Sequence, residues 1–151
     1  MTYHVVVGVD GSAHGEAALR FALAEAEAHA GQVTAVFAWQ VPFLSIPGAF
    51  DREELEKAGM AFLIEKVSAV APSPKVPLST VVAEGDPAES LITAAKNADL
   101  LVVGTHGRST LRGLLVGAVS LRCIMGAPCP VTVVKLPNEV TGVAPEGTDP
   151  G

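Results

Sequence analysis

The sequence predicts an α/β fold of the doubly wound, Rossmann-like class, in which helices cover both faces of a parallel sheet. Three observations predict it. Segments typical of strands and segments typical of helices alternate along the chain. The five predicted strands are continuously apolar, as strands buried on both faces are. Apolar residues make up 49% of the 151 residues, which suffices for one domain with a substantial core.

Composition and spacing predict the first strand and the first helix. Residues 4–10 (HVVVGVD) form a β-branched run that ends in turn residues, so we predict strand 1 there. The Ala-rich residues 12–30 have helical spacing, and Ser12 is placed to cap that helix. The residues expected to form one apolar face of this helix are Ala17, Phe21, Ala24 and Ala28.

The middle of the chain continues the same order of strand and helix. Residues 32–39 (QVTAVFAW) predict strand 2, and a loop that contains Pro and Gly follows. Apolar residues recur with a helical period over residues 51–70, which predicts the second helix. A helix-breaking PSPKVP segment then separates this helix from residues 78–83, the predicted strand 3.

The third helix has a clear start signal in the segment EGDPAESL. Asp86 is placed as its N-cap, Pro87 suits its first position, and Glu89 completes a capping-box pattern. We expect this helix to end near Asn97.

The last part of the chain contains two more strands and a tail. Residues 99–103 predict strand 4, and a glycine-rich stretch leads from it into a helix that ends near Gly126. Strand 5 is predicted to begin at Val131 and to end at Leu136. The remaining residues, 137–151, mix Pro, Gly, Thr and acidic residues without a period. We therefore expect a folded domain over residues 1–136 and a flexible C-terminal tail.

Composition and charge exclude several classes of function. A net charge of −6 argues against a general nucleic-acid binder, and no apolar run reaches the roughly 18 residues of a membrane span. The N-terminal MTYHVVVGVD has no basic region and no cleavage-like site, so we expect a cytoplasmic protein. Cys123 and Cys129 are too few for a disulfide framework and lack the spacing of a metal site.

The stretch GTHGRSTLRGLLVGAVS after strand 4 carries the main functional signal. Its glycines follow the spacing Gly104, two residues, Gly107, nine residues, Gly117. This is neither the G-x-G-x-x-G fingerprint of dinucleotide sites nor a P-loop, which needs Lys and then Ser or Thr after its second glycine. The first two glycines nevertheless let the backbone turn tightly and approach a ligand.

Phosphate is the ligand that this stretch fits best. If a helix begins after Gly117, the free N–H groups of its first turn form a site for an anion. These groups belong to Ala118, Val119 and Ser120. Arg108 adds positive charge, and Ser120 adds a hydroxyl. The alternative interpretation is a common glycine-rich turn of an α/β protein, with the arginine in solvent.

The loops after strands 1 and 4 lie where ligands bind in such folds, beyond the carboxyl ends of the strands. Asp10 in the first loop is suited to hydrogen-bond a ribose hydroxyl or to help hold a metal, and its alternative role is turn chemistry before Gly11 and Ser12. His106 in the second loop either contacts phosphate or lies in solvent as a turn residue. We assign Trp39 to packing rather than to a pocket.

The chain resembles the universal stress protein family from about residue 4 to residue 136. The resemblance rests on VGVDGS after strand 1, EGDPAESL before the third helix, DLLVVGTHGRSTLRGLLVGAVS, and APCPVTVVK at the last strand. It implies a parallel sheet of five strands in the order 3-2-1-4-5, a dimer, and ATP bound through the pattern G-x2-G-x9-G-(S/T).

The resemblance also implies roles for individual residues. Asp10 would lie beside the adenine and the ribose, the backbone of Gly8 and Val9 would lie near the base, and Ala38 would line the adenine pocket. The residues that would contact the ribose and phosphates are Gly104, His106, Gly107, Arg108, Gly117, Ala118, Val119 and Ser120.

One position departs from the family pattern, which has Ser or Thr after the last glycine where this chain has Ala118. A hydrogen bond to a charged group contributes about 1.5–3 kcal/mol, so its loss weakens binding about tenfold or more. Ser120 is a partial substitute for the missing hydroxyl. We therefore expect weaker ATP binding than the full pattern gives, or a shift toward ADP or AMP, with Mg²⁺ or Mn²⁺ as an optional companion of the nucleotide.

The favoured function is that of an ATP-binding universal stress protein that responds to nucleotide as a regulator. Without a P-loop lysine, an evident general base or a clear pair of metal-binding carboxylates, at most slow ATP hydrolysis or autophosphorylation is expected. Candidate acceptors are Ser109, Thr110 and Ser120. The alternatives are a dimeric scaffold whose nucleotide site has lapsed at Ala118, and an adenine-nucleotide enzyme such as a flavoprotein subunit.

The expected partners are an adenine nucleotide, an unknown protein and a second copy of the chain. The apolar strand from Val131 to Leu136 is expected at a sheet edge, where it needs cover. The resemblance implies that it pairs with its own copy in a homodimer. No nucleic-acid or membrane partner is expected.

Overall fold

The computed structural model describes residues 2–41, 48, 50–106 and 116–136. Its strands form one five-stranded parallel sheet in the order β3-β2-β1-β4-β5. The elements are β1 (His4–Gly8), α1 (Ala13–Ala28), β2 (Gln32–Trp39), α2 (Arg52–Val70), β3 (Leu78–Glu84), α3 (Pro87–Ala94) with a 3-10 turn (Ala95–Asn97), β4 (Leu100–Gly104), α4 (Ala118–Gly126) and β5 (Val131–Val134). The predicted fold class and strand order are confirmed.

The central strand β1 shows why a strand that is covered on both faces has an apolar run. It lies between β2 and β4, and its residues Val5, Val6 and Val7 are fully buried. Successive residues of a strand point to opposite faces of the sheet. Val5 and Val7 therefore pack into a core shared with α1 and α2, whereas Val6 packs into a second core shared with α3 and α4.

The helix α1 buries a different face from the one that its sequence suggests. Its buried residues include Ala18, Leu19, Ala22 and Ala26. By contrast, Phe21 is 37% exposed, and Ala24 and Ala28 lie on the surface, so the predicted apolar face was wrong. In an Ala-rich helix almost every position is weakly apolar, and a shift by one residue turns the face by about 100°. Burial of the larger Leu19 against the sheet fixes the orientation instead.

The predicted starts of α1 and α3 are confirmed by their caps. The Ser12 hydroxyl oxygen accepts a hydrogen bond from the N–H of Gly15 at 3.0 Å. The Asp86 carboxylate accepts one from the N–H of Glu89 at 3.0 Å, and Pro87 occupies the first turn. Each cap satisfies a backbone donor that the first turn of a helix leaves without a partner.

The topology leaves a crevice beside the central strand. After β1 the chain enters α1 on one face of the sheet, and after β4 it enters α4 on the other face. The two loops therefore diverge at the carboxyl ends of neighbouring strands, which is the usual ligand site of doubly wound folds.

The two edges of the sheet are β3 and β5. The strand β5 ends at Val134, two residues before its predicted end. The predicted flexible tail, residues 137–151, lies outside the described residues. Within the described part of the chain, none of the helices combines the length and the apolar character needed to cross a membrane.

Candidate functional site

A cavity of about 480 Å³ opens at the carboxyl ends of β1, β2 and β4. Ten residues that the sequence analysis assigned to a ligand site line it: Gly8, Val9, Asp10, Ala38, Gly104, His106, Gly117, Ala118, Val119 and Ser120. Two others, Gly107 and Arg108, lie outside the described residues, as do the candidate acceptors Ser109 and Thr110. The fold thus gathers three distant parts of the chain around one space.

At the end of β1, the carboxylate of Asp10 is held at the cavity wall by the start of α1. Its Oδ1 accepts hydrogen bonds from the backbone N–H of Ser12 at 2.9 Å and from the Ser12 hydroxyl. A Cβ atom at Gly15 would lie 2.6 Å from the same oxygen, so a side chain there would displace the carboxylate. Asp10 therefore has the turn role that the sequence analysis gave as its alternative, and it also lines the cavity.

The end of β4 is tied directly to the start of α4. The backbone N–H of Gly117 donates to the carbonyl oxygen of Thr105 at 2.6 Å. The Ser120 hydroxyl donates to the carbonyl oxygen of Gly104 and lies 3.3 Å from that of Thr105. A hydroxyl has only one proton, and Ser120 donates it to a backbone carbonyl. The Ser120 oxygen can therefore still accept a hydrogen bond, but the side chain has no second proton to donate. Ser120 therefore does not replace the hydroxyl donor that Ala118 lacks.

The start of α4 presents backbone N–H groups to the cavity. Gly117 is the N-cap residue, with φ −71° and ψ 165°, and α4 continues for nine residues from Ala118. A glycine cap has no side chain to accept from the first N–H groups, and the residues of this turn carry no charge of their own. The helix N-terminus carries a partial positive charge, so its uncapped donors suit an anion.

Much of the opposite wall is apolar, and sequence reasoning missed it. Residues of β2, α3 and β4 that contribute are Val36, Phe37, Trp39, Pro87, Leu91 and Val103. Trp39 thus lines the cavity, although the sequence analysis assigned it to packing. A Cβ atom at Gly8 would lie 3.0 Å from Cδ1 of Leu91. The absent side chain at Gly8 therefore lets the leucine of α3 approach the end of β1.

The two histidines beside the cavity contact each other. His106 is only 8% exposed, so it is not the solvent-exposed turn residue of the alternative interpretation. Its ring meets the ring of His14 edge to face, with ring centroids 5.3 Å apart and planes at 70°. No sequence signal singled out His14, because its spacing from His106 along the chain has no meaning before the fold is known.

The two cysteines lie apart from the cavity lining and remain thiols. Burial raises the pKa of Cys123 to about 11, and burial also raises the pKa of Cys129. Both side chains are therefore protonated near neutral pH, whereas a reactive cysteine needs its thiolate. Among the residues that the structure describes, no group of three or more His, Cys, Asp or Glu side chains is placed to hold a metal ion.

Comparison with known sequences gives a consistent result. The model of the Universal stress protein family matches residues 1–135. A universal stress protein of Mycobacterium tuberculosis is 36% identical over 133 residues, which cover 87% of this chain and 45% of that protein. One of Methanocaldococcus jannaschii is 35% identical over 141 residues, which cover 89% of this chain and 83% of that protein. The chain spans about half the length of the mycobacterial relatives that it matches.

Comparison with solved structures finds the same fold. A universal stress protein in complex with cAMP superimposes with a TM-score of 0.70 at 24% identity, over 87% of this chain and 96% of the other. The protein from Archaeoglobus fulgidus with dAMP gives 0.66 at 19% identity, over 89% and 98%. The protein from Arabidopsis thaliana with AMP gives 0.59 at 20% identity, over 88% and 91%.

Proposed function

The chain belongs to the universal stress protein family, and from this premise we propose that it is a cytoplasmic regulatory protein that binds an adenine nucleotide, with ATP as the ligand. One observation carries the proposal. The residues that the family resemblance assigns to the nucleotide come from three distant parts of the chain, and all ten that are described line one cavity. Its volume, about 480 Å³, falls within the range of small-molecule sites.

The apolar wall suits the adenine ring. Ala38 and Val36 lie on β2, and Leu91 faces them from α3. Flat aromatic ligands gain affinity from burial against such surfaces. The related proteins solved with cAMP, dAMP and AMP hold ligands that share an adenine and differ in the sugar and phosphate. This common adenine supports the same base for the present chain. We propose that Asp10, which lines the cavity, accepts a hydrogen bond from the ribose.

The start of α4 suits the phosphates. The N–H groups of its first turn are uncapped by Gly117, and this turn lies against the end of β4. A polyphosphate placed there would accept from these groups and be stabilised by the partial charge of the helix. His106 lines the same cavity and adds a side chain that can donate to phosphate.

Nucleotide is proposed to act as a regulatory ligand rather than as fuel. Rapid phosphoryl transfer uses a phosphate-binding lysine, metal-binding carboxylates and a residue that orients the nucleophile. The glycine stretch of this chain has no P-loop lysine. We expect at most slow hydrolysis or autophosphorylation, and a conformational or partner-binding response to the bound nucleotide.

Titration calorimetry of ATP, ADP, AMP and adenosine, with and without Mg²⁺, tests the proposal. ATP should bind the parent protein, and Gly117→Val should weaken that binding at least tenfold because the branched side chain crowds the phosphate end. Valine readily adopts the extended φ and ψ of this position, so the fold should persist. Ala69→Val, on the exposed side of α2, is the matched control and should bind as the parent does. Equal ATP affinity in the parent and Gly117→Val would overturn the phosphate assignment.

The proposed assembly is a homodimer through the last strand, which begins at Val131. Among the described residues, this strand pairs with β4 on one side and with no strand on the other. Three large apolar residues of the preceding helix, Leu121, Ile124 and Met125, are 51%, 47% and 81% exposed. Apolar surface next to an open strand edge favours association with another copy.

A further inference from the structure

The bottom of the cavity belongs to the second core of the fold. Val36 of β2, Leu91 of α3 and Val103 of β4 are members of that core and also line the cavity. None of the three is more than 5% exposed. Core side chains are close-packed, so a change of one methylene group in this wall alters the space beside it.

Leu91 is the longer of the two side chains that α3 buries. The other is Ala88, and the 3-10 turn after the helix buries Ala95. Pro87 lies one turn before Leu91 and lines the cavity as well. Residues four positions apart lie on the same face of a helix. Pro87 and Leu91 therefore form a ridge along α3, and the leucine is its buried part.

Two glycines bring α3 close to its neighbours. A Cβ atom at Gly8 of β1 would lie 3.0 Å from Cδ1 and 3.3 Å from Cδ2 of Leu91. A Cβ atom at Gly126 of α4 would lie 3.0 Å from Cδ1 of Ile92, the next residue of α3. The helix therefore packs on both neighbours where they have no side chain. Leu91 fills the space beside Gly8, and its side chain limits how far the cavity extends toward α3.

The wall between β2 and α3 offers shape rather than charge. Its lining residues are Val36, Phe37, Ala38, Trp39, Pro87 and Leu91. The indole N–H of the tryptophan is the only polar side-chain group among these six. An apolar pocket discriminates by size, and one methylene group changes affinity by about 10–200-fold. Selection at this wall therefore depends on how much space its side chains leave.

We propose that Leu91 determines base specificity in the nucleotide site, because its side chain excludes purines that carry an alkyl group on the edge facing α3. The accepted ligands are adenine nucleotides without added bulk on the base. Truncation of Leu91 opens this edge of the cavity. The inference rests on the proposed nucleotide function and adds the residue that limits the size of the base.

The test is calorimetry of ATP and of three ATP analogues that carry a propyl group at C2, N6 or C8, so that each free edge of the base is covered. We expect the parent to prefer ATP over the analogue whose propyl group meets Leu91. Leu91→Ala should reduce that preference about tenfold or more. The ratio of two affinities measured on one protein is the readout, because a general loss of stability affects both ligands alike.

Leu63→Ala is the matched control for this truncation. Leu63 is a fully buried leucine of α2 in the other core, away from the cavity lining. Its truncation also leaves a space in a core, so it should destabilise the fold to a similar degree. The preference for ATP over each analogue should stay that of the parent.

Gly8→Ala tests the contact between Leu91 and β1 from the other side. The added methyl group meets Leu91 at 3.0 Å, so the leucine side chain should move into the cavity. We expect ATP affinity to fall about fivefold in the parent background and to change much less when Leu91→Ala is already present. An equal loss in both backgrounds would show that the methyl group meets the ligand directly, and the role of Leu91 would be wrong.

The outcomes separate this inference from the function on which it rests. If ATP binds the parent and all three analogues keep the same affinity ratios in Leu91→Ala, the size assignment is wrong and the nucleotide site stands. If ATP does not bind the parent, both are overturned. Truncation of a buried leucine costs stability, so Leu91→Val repeats the measurement with a smaller loss and should shift the same ratio less. Thermal unfolding shows that each variant is folded before its ratio is compared.

Discussion

The residue at position 118 determines whether the start of α4 offers a side-chain hydroxyl to phosphate in addition to its backbone N–H groups. In this chain the residue is alanine, which has no hydroxyl. Ala118 is exposed at the first position of this helix, so a serine fits there without displacing the core. We expect Ala118→Ser to bind ATP about tenfold more tightly, because one hydrogen bond to a charged group contributes about 1.5–3 kcal/mol. Calorimetry beside the parent measures this change. Ala69→Ser adds the same hydroxyl on the exposed side of α2 and should leave ATP affinity unchanged.

Two results of that comparison would change the interpretation. If Ala118→Ser binds ATP and the parent protein does not, the nucleotide site of this chain has lapsed. The chain would then act as a dimeric scaffold. Equal affinity of the two proteins would mean that a side-chain hydroxyl at position 118 does not contact phosphate.

The buried thiol of Cys123 makes the stability of the fold sensitive to alkaline pH. Burial raises its pKa from 9.0 to about 11, so the folded state retains a proton that the unfolded state releases. The associated stability is fully present below about pH 9 and is lost as the pH rises through about 11. A difference of two units between the pKa values of the folded and unfolded states corresponds to about 3 kcal/mol in the free energy of unfolding.

Urea unfolding from pH 8 to pH 11 measures this loss in the parent and in Cys123→Ala. The variant starts less stable because it leaves space in the core, but its stability should fall less steeply above pH 9. Tyr3, whose pKa burial also raises, titrates in both proteins and cancels in the comparison. Parallel profiles for the two proteins would contradict the assignment to Cys123.

Gly104 shows what residue patterns predict and what they leave open. The sequence analysis explained this glycine by close approach to a ligand. The structure adds a second reason, since a side chain at this position would collide with His14. Both explanations require the same missing side chain. The pattern therefore predicts where glycine is needed but not which neighbour requires it.

Helix starts were predictable from the sequence, whereas helix faces were less so. A cap is a local interaction over three residues, and Ser12 and Asp86 make the expected bonds. The buried face of α1 depends on how the whole helix packs on the sheet. Several alanines satisfy an apolar period on more than one side, so packing of Leu19 decided the outcome.

The same distinction applies to the cavity walls. The glycine-rich segment and Asp10 carried local signals, and most of the described residues of the segment line the cavity together with Asp10. Leu91 and Trp39 had no such signal. The leucine reaches the site because α3 packs closely over Gly8, a contact that arises only once the sheet has formed.

At the element scale, Asp86 joins two helices that border the cavity. Its carboxylate caps α3 through the N–H of Glu89 and also pairs with Arg122 of α4 at 2.7 Å. We expect Asp86→Ala to lower the free energy of unfolding by about 1–2 kcal/mol, most of it from the lost cap. The ion pair is half exposed and should contribute less than about 1 kcal/mol.

Urea unfolding of Asp86→Ala, Arg122→Gln and the double variant separates the two contributions. Arg122→Gln removes the ion pair and leaves the cap, so it should cost well under half as much as Asp86→Ala. Asp86→Asn keeps an acceptor for the cap and should fall between them. An Arg122→Gln variant as unstable as Asp86→Ala would show that the ion pair, rather than the cap, dominates.

At the scale of the whole molecule, strand order determines where the site can form. Only neighbouring strands whose helices go to opposite faces leave a crevice, and β1 and β4 are such a pair. The alternation of strands and helices in the sequence predicts the fold class. The family resemblance supplied the order of the strands, which alternation alone leaves undetermined.

The backbone ladder of β5 shows which of its groups are available to a second copy. The N–H of Leu101 donates to the carbonyl of Pro130, and that of Thr105 donates to the carbonyl of Val134, both at 3.0 Å. Alternate residues of a parallel strand direct their backbone groups to the same side. Val133 therefore directs its N–H and C=O away from β4, toward the open edge.

Proline at position 133 tests the proposed homodimer, since it removes this outward N–H and leaves the ladder to β4 intact. We expect Val133→Pro to weaken dimerisation at least tenfold in sedimentation equilibrium.

The matched control is Thr80→Pro on the opposite edge strand β3. There the N–H of Val33 donates to the carbonyl of Pro77 at 2.9 Å, so the same alternation directs Thr80 outward. This control should leave the dimer unchanged. Equal weakening by both prolines would indicate general destabilisation, and an unchanged dimer in Val133→Pro would place the interface elsewhere, with the exposed apolar face of α4 as the next surface to test.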